Sequence, residues 1–237
     1  MTFFFINLGF INLLTIASLG LKEYFDEPMI PGVLFFVLLI LHTFYLPSIL
    51  LTSLQVEAQS QLWLHTPTSG VRLFLAKMVA GLTYYVVSLI VSILLAKLAT
   101  SGIAYSDKYA PFKELLEANL MVLSGVITVT SIYFGVWVLF YWALYHSMKG
   151  IPFVKNIRWL VILGVWILFT VLGDFISKIP TIQVFQEKGS ININIFNRTS
   201  VSTDMANVQL TTIGIYVLIT IAVFLASVWL LQRKVEV

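Results

Sequence analysis

The sequence predicts an all-α polytopic membrane protein with six transmembrane helices. Of its 237 residues, 59% are apolar and only 11% are charged, whereas a soluble domain carries about a quarter charged residues. The mean hydropathy is +0.95. An apolar run of about 18 residues or more is long enough to cross the hydrocarbon core as a helix. Six such runs occur, at 3–21, 30–53, 73–96, 118–144, 158–178 and 209–231.

The termini are expected in the cytoplasm. The first span begins close to Met1 and lacks the basic segment and cleavage site of a signal peptide, so we expect it to remain in the protein. With both termini inside, each side of the membrane carries seven basic residues. The positive-inside rule gives most weight to short loops and to positions near span ends. The basic residues of 145–158 and 233–234 meet both conditions, which favours this orientation.

The connections and the second span come next along the chain. The loop 22–29 is short and acidic, which suits an outer connection. Pro47 lies inside span two, where proline usually kinks a helix and frees a carbonyl group that neighbours satisfy. His42 lies about one and a half turns earlier. A lone intramembrane histidine is more often a packing or hydrogen-bonding residue than a ligand.

The later spans carry separate signals. Pro111 followed by acidic residues predicts a short amphipathic helix outside the bilayer that leads into span four. Asp174 lies near the outer end of span five and has two interpretations: a polar contact for cargo or a partner helix, or a carboxylate that reaches the headgroup layer. In the extracellular segment 179–208, residues alternate with period two at 181–186 and 191–197, on either side of a glycine-containing turn. This alternation predicts a small β-hairpin.

Motifs for catalysis and metal binding are absent from the sequence. It has no cysteine, no G-x-x-x-x-G-K-[ST] phosphate loop, no H-E-x-x-H zinc motif and no G-x-S-x-G elbow. Asp174 and His42 are essentially the only intramembrane ionisable groups. We therefore expect no intrinsic catalysis, no bound cofactor and no metal. The net charge of +3 reflects basic residues near anionic headgroups, and we expect no nucleic-acid partner.

The most informative stretch is the polar, patterned interruption at 54–72, between spans two and three. Read as a helix, it has an apolar face and a polar face. The apolar face holds Leu54, Ala58 and Leu62, and the polar face holds Gln55, Gln59 and Ser60. Trp63 suits the membrane–water interface, and Pro67 ends the helix because the residue before a proline avoids the α conformation. An amphipathic element on the inner face predicts a docking surface.

The run from Glu57 to Lys77 resembles the signature region of ABC-2-type transporter permeases. It contains Glu57, the stretch Leu62-Trp-Leu-His-Thr-Pro-Thr-Ser-Gly70, then Arg72 and Ala76-Lys77. Six spans, cytoplasmic ends and the missing phosphate loop also match the family. The sequence departs from the family pattern in two respects. Polar Gln and Ser replace the Gly-Thr pair that is usual after the acidic residue, and the elbow helix before span one is nearly missing. The resemblance implies one transmembrane domain over 1–237, similar to type V exporters.

The resemblance also implies partners and site residues. The chain would be a non-catalytic subunit in the bacterial cell membrane, paired with a second permease chain, identical or homologous. A separate ABC ATPase subunit would bind and hydrolyse ATP. The implied coupling residues are Glu57, Gln61, Leu62, Trp63, Leu64, His65, Thr66 and Pro67. The residue pattern of 62–70 is most similar to that of Gram-positive permeases that export amphipathic cytolytic peptides (the phenol-soluble modulins) or antimicrobial peptides. The candidate cargo path would be lined by Phe134, Trp137, Phe140 and Asp174, together with Trp142; the alternative is that the aromatic residues only face lipid.

Other functions fit the same sequence. An exporter of drugs or lipid-like molecules would have the same architecture. A non-transporting scaffold or immunity protein would bind no ATPase. A haem or quinone subunit would use His42 and the 14% of residues that are aromatic.

Overall fold

The computed structural model describes residues 2–60, 69–100, 110–148, 154, 156–178, 190–193 and 206–234. Internal contacts divide the chain into two compact units, Met1–Val138 and Leu139–Val237. The single-domain prediction remains a prediction. The described helices are α1 Thr2–Phe25, α2 Ile30–Leu41, α3 Tyr45–Ser60, α4 Gly70–Thr100, α5 Ala110–Ser147, α6 Arg158–Ser177 and α7 Leu210–Lys234.

Six helical stretches among the described residues are long and apolar enough to cross a membrane. They are Phe3–Phe25, Ile30–Gln59, Gly70–Ala99, Leu120–Ser147, Arg158–Phe175 and Ile213–Gln232. Helices suit this role because each satisfies its backbone hydrogen bonds within one segment, where no water is present to do so. The stretches coincide with the six predicted runs to within a few residues. The prediction of six helices that are long and apolar enough to span a membrane is therefore confirmed.

The second span is interrupted where proline predicts a break. A 3₁₀ turn at His42–Phe44 separates α2 from α3. Pro47 lacks the N–H that would bond the carbonyl four residues earlier, and its ring crowds that carbonyl. Hydroxyl groups bond the neighbouring carbonyls: Ser48 Oγ donates to Phe44 O at 2.7 Å, and Ser131 Oγ donates to His42 O at 3.4 Å. The predicted kink thus takes the form of a tightened turn with hydroxyl support.

Helix α3 packs closely against α4 and α5 within the first unit. A Cβ atom added at Gly81 of α4 would lie 2.8 Å from Leu46 Cδ1, and one added at Gly135 of α5 would lie 3.0 Å from Leu50 Cδ1. Both leucines are fully buried. Glycine permits this approach because it has no side chain, and small residues are the usual means of close helix packing in lipid. The packing fixes the part of α3 that leads into residues 54–60.

Helix α5 begins earlier than span four. It starts at Ala110, so Pro111 lies in its first turn, where the missing proline N–H has no helical partner to lose. The predicted helical conformation before span four is confirmed, whereas its position outside the bilayer stays a prediction. It forms one continuous helix with the span rather than a separate element, because no glycine or proline lies between Pro111 and residue 120.

The segment between α6 and α7 contains a small antiparallel sheet. Strand β1, Ser190–Ile193, pairs with β2, Ala206–Gln209, and Ile191 lies opposite Val208 in the register. The prediction paired 191–197 with 181–186, a run that lies outside the described residues. The predicted hairpin is therefore unconfirmed. Val208 lies in strand β2, Ala206–Gln209. Its alternation is hard to recognise in the sequence because the strand runs directly into α7.

Candidate functional site

The first part of the 54–72 interruption continues helix α3, which ends at Ser60. Leu54 is buried, whereas Gln55 and Gln59 are exposed, as the two predicted faces require. The segment differs from the prediction in one respect, because 54–60 is not separate from span two. It extends that helix about 10 Å beyond residue 53, at about 1.5 Å per residue. No glycine or proline lies between Pro47 and Pro67 to stop it.

The far end of the interruption begins helix α4. Ser69 precedes the helix, and its Oγ accepts a hydrogen bond from the Arg72 N–H at 3.5 Å. Its carbonyl accepts from the Leu73 N–H at 3.1 Å. Serine at this position satisfies an amide of the first turn that has no partner within the helix. Ser69 thus leads directly into helix α4.

An ion pair joins helix α3 to helix α4 close to the two ends of the interruption. Lys77 Nζ of α4 lies 2.7 Å from Glu57 Oε1 of α3 and donates a hydrogen bond to Ser53 Oγ at 3.2 Å. The Lys77 side chain is 10% exposed and that of Glu57 is 29% exposed. Ser53 and Glu57 are one helical turn apart and therefore share a face of α3. We name these three residues, Ser53, Glu57 and Lys77, the junction cluster.

The junction cluster can transmit force between two helices. A charge that is largely removed from water interacts strongly with its partner, and removal of one partner leaves the other charge uncompensated. The contact therefore holds α3 and α4 together close to the ends of the segment between them. Glu57 is a predicted coupling residue that the structure describes. The others, Gln61, Leu62, Trp63, Leu64, His65, Thr66 and Pro67, lie outside the described residues.

The aromatic residues of the candidate cargo path have different surroundings. The Phe134 ring stacks on Phe44 with centroids 5.9 Å apart, and the Trp137 ring makes an edge contact with Tyr133 at 6.1 Å. Phe140 is buried and meets Phe169 edge-on at 6.4 Å.

Two further residues of the candidate cargo path, Trp142 and Asp174, each contact the residue four positions later in the chain. Trp142 stacks on His146 at 4.3 Å. Asp174 Oδ2 accepts a hydrogen bond from Lys178 Nζ at 2.7 Å, and both side chains are largely exposed. Both interpretations of Asp174 stay predictions. Because about 100° of rotation separates successive helical residues, Phe140 and Trp142 lie on nearly opposite faces of α5. A role of these residues in cargo passage remains a prediction.

A buried polar network surrounds His42. Its Nδ1 lies 2.8 Å from Leu38 O, and its Nε2 lies 3.1 Å from Ser88 Oγ and 3.3 Å from Ser92 Oγ. Asn7 Nδ2 donates to Ser88 Oγ at 2.6 Å. Because a carbonyl can only accept, the neutral ring carries its proton on Nδ1 and accepts at Nε2. The network joins α1, span two and α4.

The network supports the hydrogen-bonding interpretation of His42. Both of its ring nitrogens have protein partners, so ligation of a haem would first require one of these bonds to break. The residues that the structure describes contain no cluster of three or more His, Cys, Asp or Glu side chains that could hold a metal ion.

Sequence reasoning missed Asn7, Ser88 and Ser92. The available signal was two serines spaced by four residues in an otherwise apolar span, and therefore on one helix face.

Similarity to known proteins extends over most of the chain. No protein-family model matches the sequence, and no solved structure matches it. The chain is 27% identical over 227 residues to a protein of Bacillus subtilis (strain 168) described as "Uncharacterized protein YhcE". The match covers 89% of this chain and 84% of that protein. That description states no activity.

Proposed function

We propose that the chain is the membrane permease subunit of an ATP-driven exporter of the ABC-2 type. It pairs with a second permease chain, and a separate ATPase subunit docks on residues 54–67. The observation that carries the proposal is the junction cluster, because it joins Glu57 and Lys77, two positions of the permease-like signature, at 2.7 Å. Six membrane-length helices in the described part of the chain and the missing phosphate loop support it.

The proposed mechanism uses the junction cluster as a mechanical link. ATP binding closes the two ATPase subunits and displaces the segment between α3 and α4. Since Lys77 bonds both Ser53 and Glu57, the displacement moves the adjoining ends of α3 and α4 together. The close packing at Gly81 and Gly135 passes the motion of α3 to α4 and α5. A densely packed interior transmits such a shift because it has few voids to absorb it.

The proposed cargo is an amphipathic or hydrophobic peptide of the cytolytic or antimicrobial type. Such a molecule partitions into the inner leaflet and can enter the dimer from the side. The sequence of residues 62–70 supports this cargo class, since it is most similar to the corresponding sequence of peptide exporters. An exporter of drugs or lipid-like molecules is the alternative within the same architecture, and direct transport assays with both cargo classes distinguish them.

The test is copurification with a candidate ABC ATPase subunit that is expressed together with this chain. We expect the wild-type chain to form a stable complex and to alter the rate of ATP hydrolysis. The double variant Trp63→Ala, Pro67→Ala should lose both properties, because it removes the predicted interfacial ring and the predicted helix stop of the docking segment. Gly164→Ala in α6 is the control, since it lies outside the docking segment and nothing lies within 4 Å of its added carbon. An intact complex with unchanged hydrolysis in the double variant would show that the coupling assignment is wrong.

A further inference from the structure

A polar stripe runs along the exposed side of helix α3. It consists of Ser48, Thr52, Gln55 and Gln59, whose spacing of three or four residues places them on one helix face. Thr52, Gln55 and Gln59 are exposed, and Ser48 is half-buried. At about 1.5 Å per residue the stripe is about 16 Å long. We name these four residues the α3 stripe.

The other half of the same span, helix α2, exposes only apolar side chains. Its exposed residues are Val33, Val37, Ile40 and Leu41, and such a surface suits hydrocarbon. The two glutamines of the α3 stripe differ, because each amide has two donor hydrogens and an acceptor oxygen that lipid tails cannot satisfy. The two halves of the span therefore require different surroundings.

The hydroxyl groups of the stripe bond the helix itself. Ser48 Oγ donates to Phe44 O at 2.7 Å, and Thr52 Oγ1 donates to Ser48 O at 2.8 Å. An isolated hydroxyl can lie in lipid in this way: Thr83 Oγ1 of α4 donates to Val79 O at 2.9 Å on a face that is otherwise apolar. Four successive polar positions on one face are a different feature, and hydroxyl bonds of this kind do not account for them.

The α3 stripe is continuous with the end of α3 that leaves the apolar run. Gln55 and Gln59 follow residue 53, where the predicted span ends, and Ser48 lies about 8 Å deeper at about 1.5 Å per residue. None of the four residues is charged, so the stripe suits water and uncharged hydrogen-bonding groups. Leu51 and Val56 are exposed on either side of it, which gives the face a polar centre with apolar borders.

We propose that the α3 stripe lines a water-filled groove that reaches from the docking end of α3 into the membrane as far as Ser48. Polar side chains within a span generally face water-filled cavities and mark substrate pathways. In the exporter, uncharged polar groups of an amphipathic peptide move along the groove, and its apolar side contacts Leu51 and Val56. The role in cargo passage rests on the proposed function, whereas the hydration of the groove does not.

Reaction of single cysteines tests the groove, since the chain contains no cysteine. The full chain in lipid nanodiscs is treated with a charged methanethiosulfonate reagent, which does not enter hydrocarbon. Thr52→Cys should react at least about tenfold faster than Val79→Cys, because the reactive thiolate forms poorly in apolar surroundings. Ser48→Cys should also react faster than Val79→Cys, and Gln55→Cys should react fastest of all.

Val79 is the matched control because it is 62% exposed and lies at the depth of Thr52. A Cβ atom added at Gly81 would lie 3.5 Å from Leu50 Cδ2; Val79 precedes Gly81 by two residues, and Thr52 follows Leu50 by two residues in the antiparallel neighbour. Equal rates for the two cysteines would overturn the proposal and show that α3 faces lipid. A disulfide between two Thr52→Cys chains that do not react with the reagent would overturn it in favour of a second copy.

The cargo role has a separate readout. Once modified, Thr52→Cys should lose peptide export and still copurify with the ATPase subunit, because the added charge lies in the groove and outside the docking segment. Unchanged export after complete modification would overturn the cargo role. Fast reaction of Thr52→Cys in a chain that binds no ATPase would confirm the groove and contradict only the proposed function.

Discussion

Two ion pairs of the protein have the same length but different surroundings. Glu57–Lys77 and Asp174–Lys178 both measure 2.7 Å. The first joins α3 to α4, and its lysine is 10% exposed. The second joins Asp174 of α6 to Lys178, the residue after the end of that helix, and its lysine is 69% exposed. An exposed pair contributes little because water and salt screen it. The comparison shows that burial, not distance, distinguishes the pair with a structural role.

The helices that carry the two ion pairs also differ in how deeply their residues are buried. At the junction cluster, Leu54 is 1% exposed and Phe74 is fully buried. In α6, no residue of the apolar window Arg158–Phe175 is buried within the structure. A displacement at the ends of α3 and α4 therefore meets packed neighbours, which is the condition under which a cluster can transmit motion.

The largest effect is expected from Lys77→Met. It leaves Glu57 charged and partly buried without its lysine, so we expect a loss of about 2 kcal/mol in the free energy of unfolding, below the 3–5 typical of fully buried pairs. Titration with SDS in mixed micelles, followed by tryptophan fluorescence, measures it. The double variant Glu57→Leu, Lys77→Met should recover most of the loss because no charge remains. If Lys77→Met behaves like Asp174→Asn, the contrast between the pairs is incorrect.

A smaller effect is expected from Gly81→Ala. Its new methyl group would meet Leu46 at 2.8 Å, and overpacking of this kind costs about 1–3 kcal/mol. Gly164→Ala in α6 is the control, since nothing lies within 4 Å of its added carbon; it should gain up to about 1 kcal/mol from lower unfolded-state entropy. The same SDS titration reports both. Equal stability changes would contradict close packing of α3 on α4.

The smallest effect is expected from Asp174→Asn. An exposed pair one helical turn apart contributes about 0.3–0.5 kcal/mol, so the free energy of unfolding should fall by no more than that. The difference should shrink further in about 1 M salt, where the screening length falls to about 3 Å. A loss as large as that of Lys77→Met would show that Asp174 has a buried partner in the assembled protein, as the cargo or partner-helix interpretation requires.

Composition and hydropathy were sufficient to predict the six spans, because lipid imposes helices of nearly fixed length on any apolar run. Pro47 likewise predicted the break in span two from its missing N–H. The continuation of α3 to Ser60 was harder to predict, since polarity marks where a span leaves lipid but does not end a helix. The pairing of Ile191 with Val208 was missed because strand partners depend on register between distant segments.

The candidate site was predictable only in part. Glu57 and Lys77 were recognised as signature positions, but their mutual contact depends on how α3 packs on α4. Ser53 was missed for the same reason. The bonds of His42 to Ser88 and of Asn7 to Ser88 join residues 46 and 81 positions apart, and periodicity within one helix contains no information about such partners.

The central claim is that the segment between α3 and α4 docks on an ATPase subunit, and crosslinking tests it most directly. Because the chain contains no cysteine, single cysteines can be introduced at Gln61 and, as a control in the predicted outer loop, at Ser106. In membranes that also contain an ABC ATPase subunit that copurifies with the chain, a short thiol-to-amine crosslinker should join Gln61→Cys to that subunit and leave Ser106→Cys unlinked. A crosslink from Ser106→Cys, or none from Gln61→Cys in a complex that still copurifies, would contradict the account.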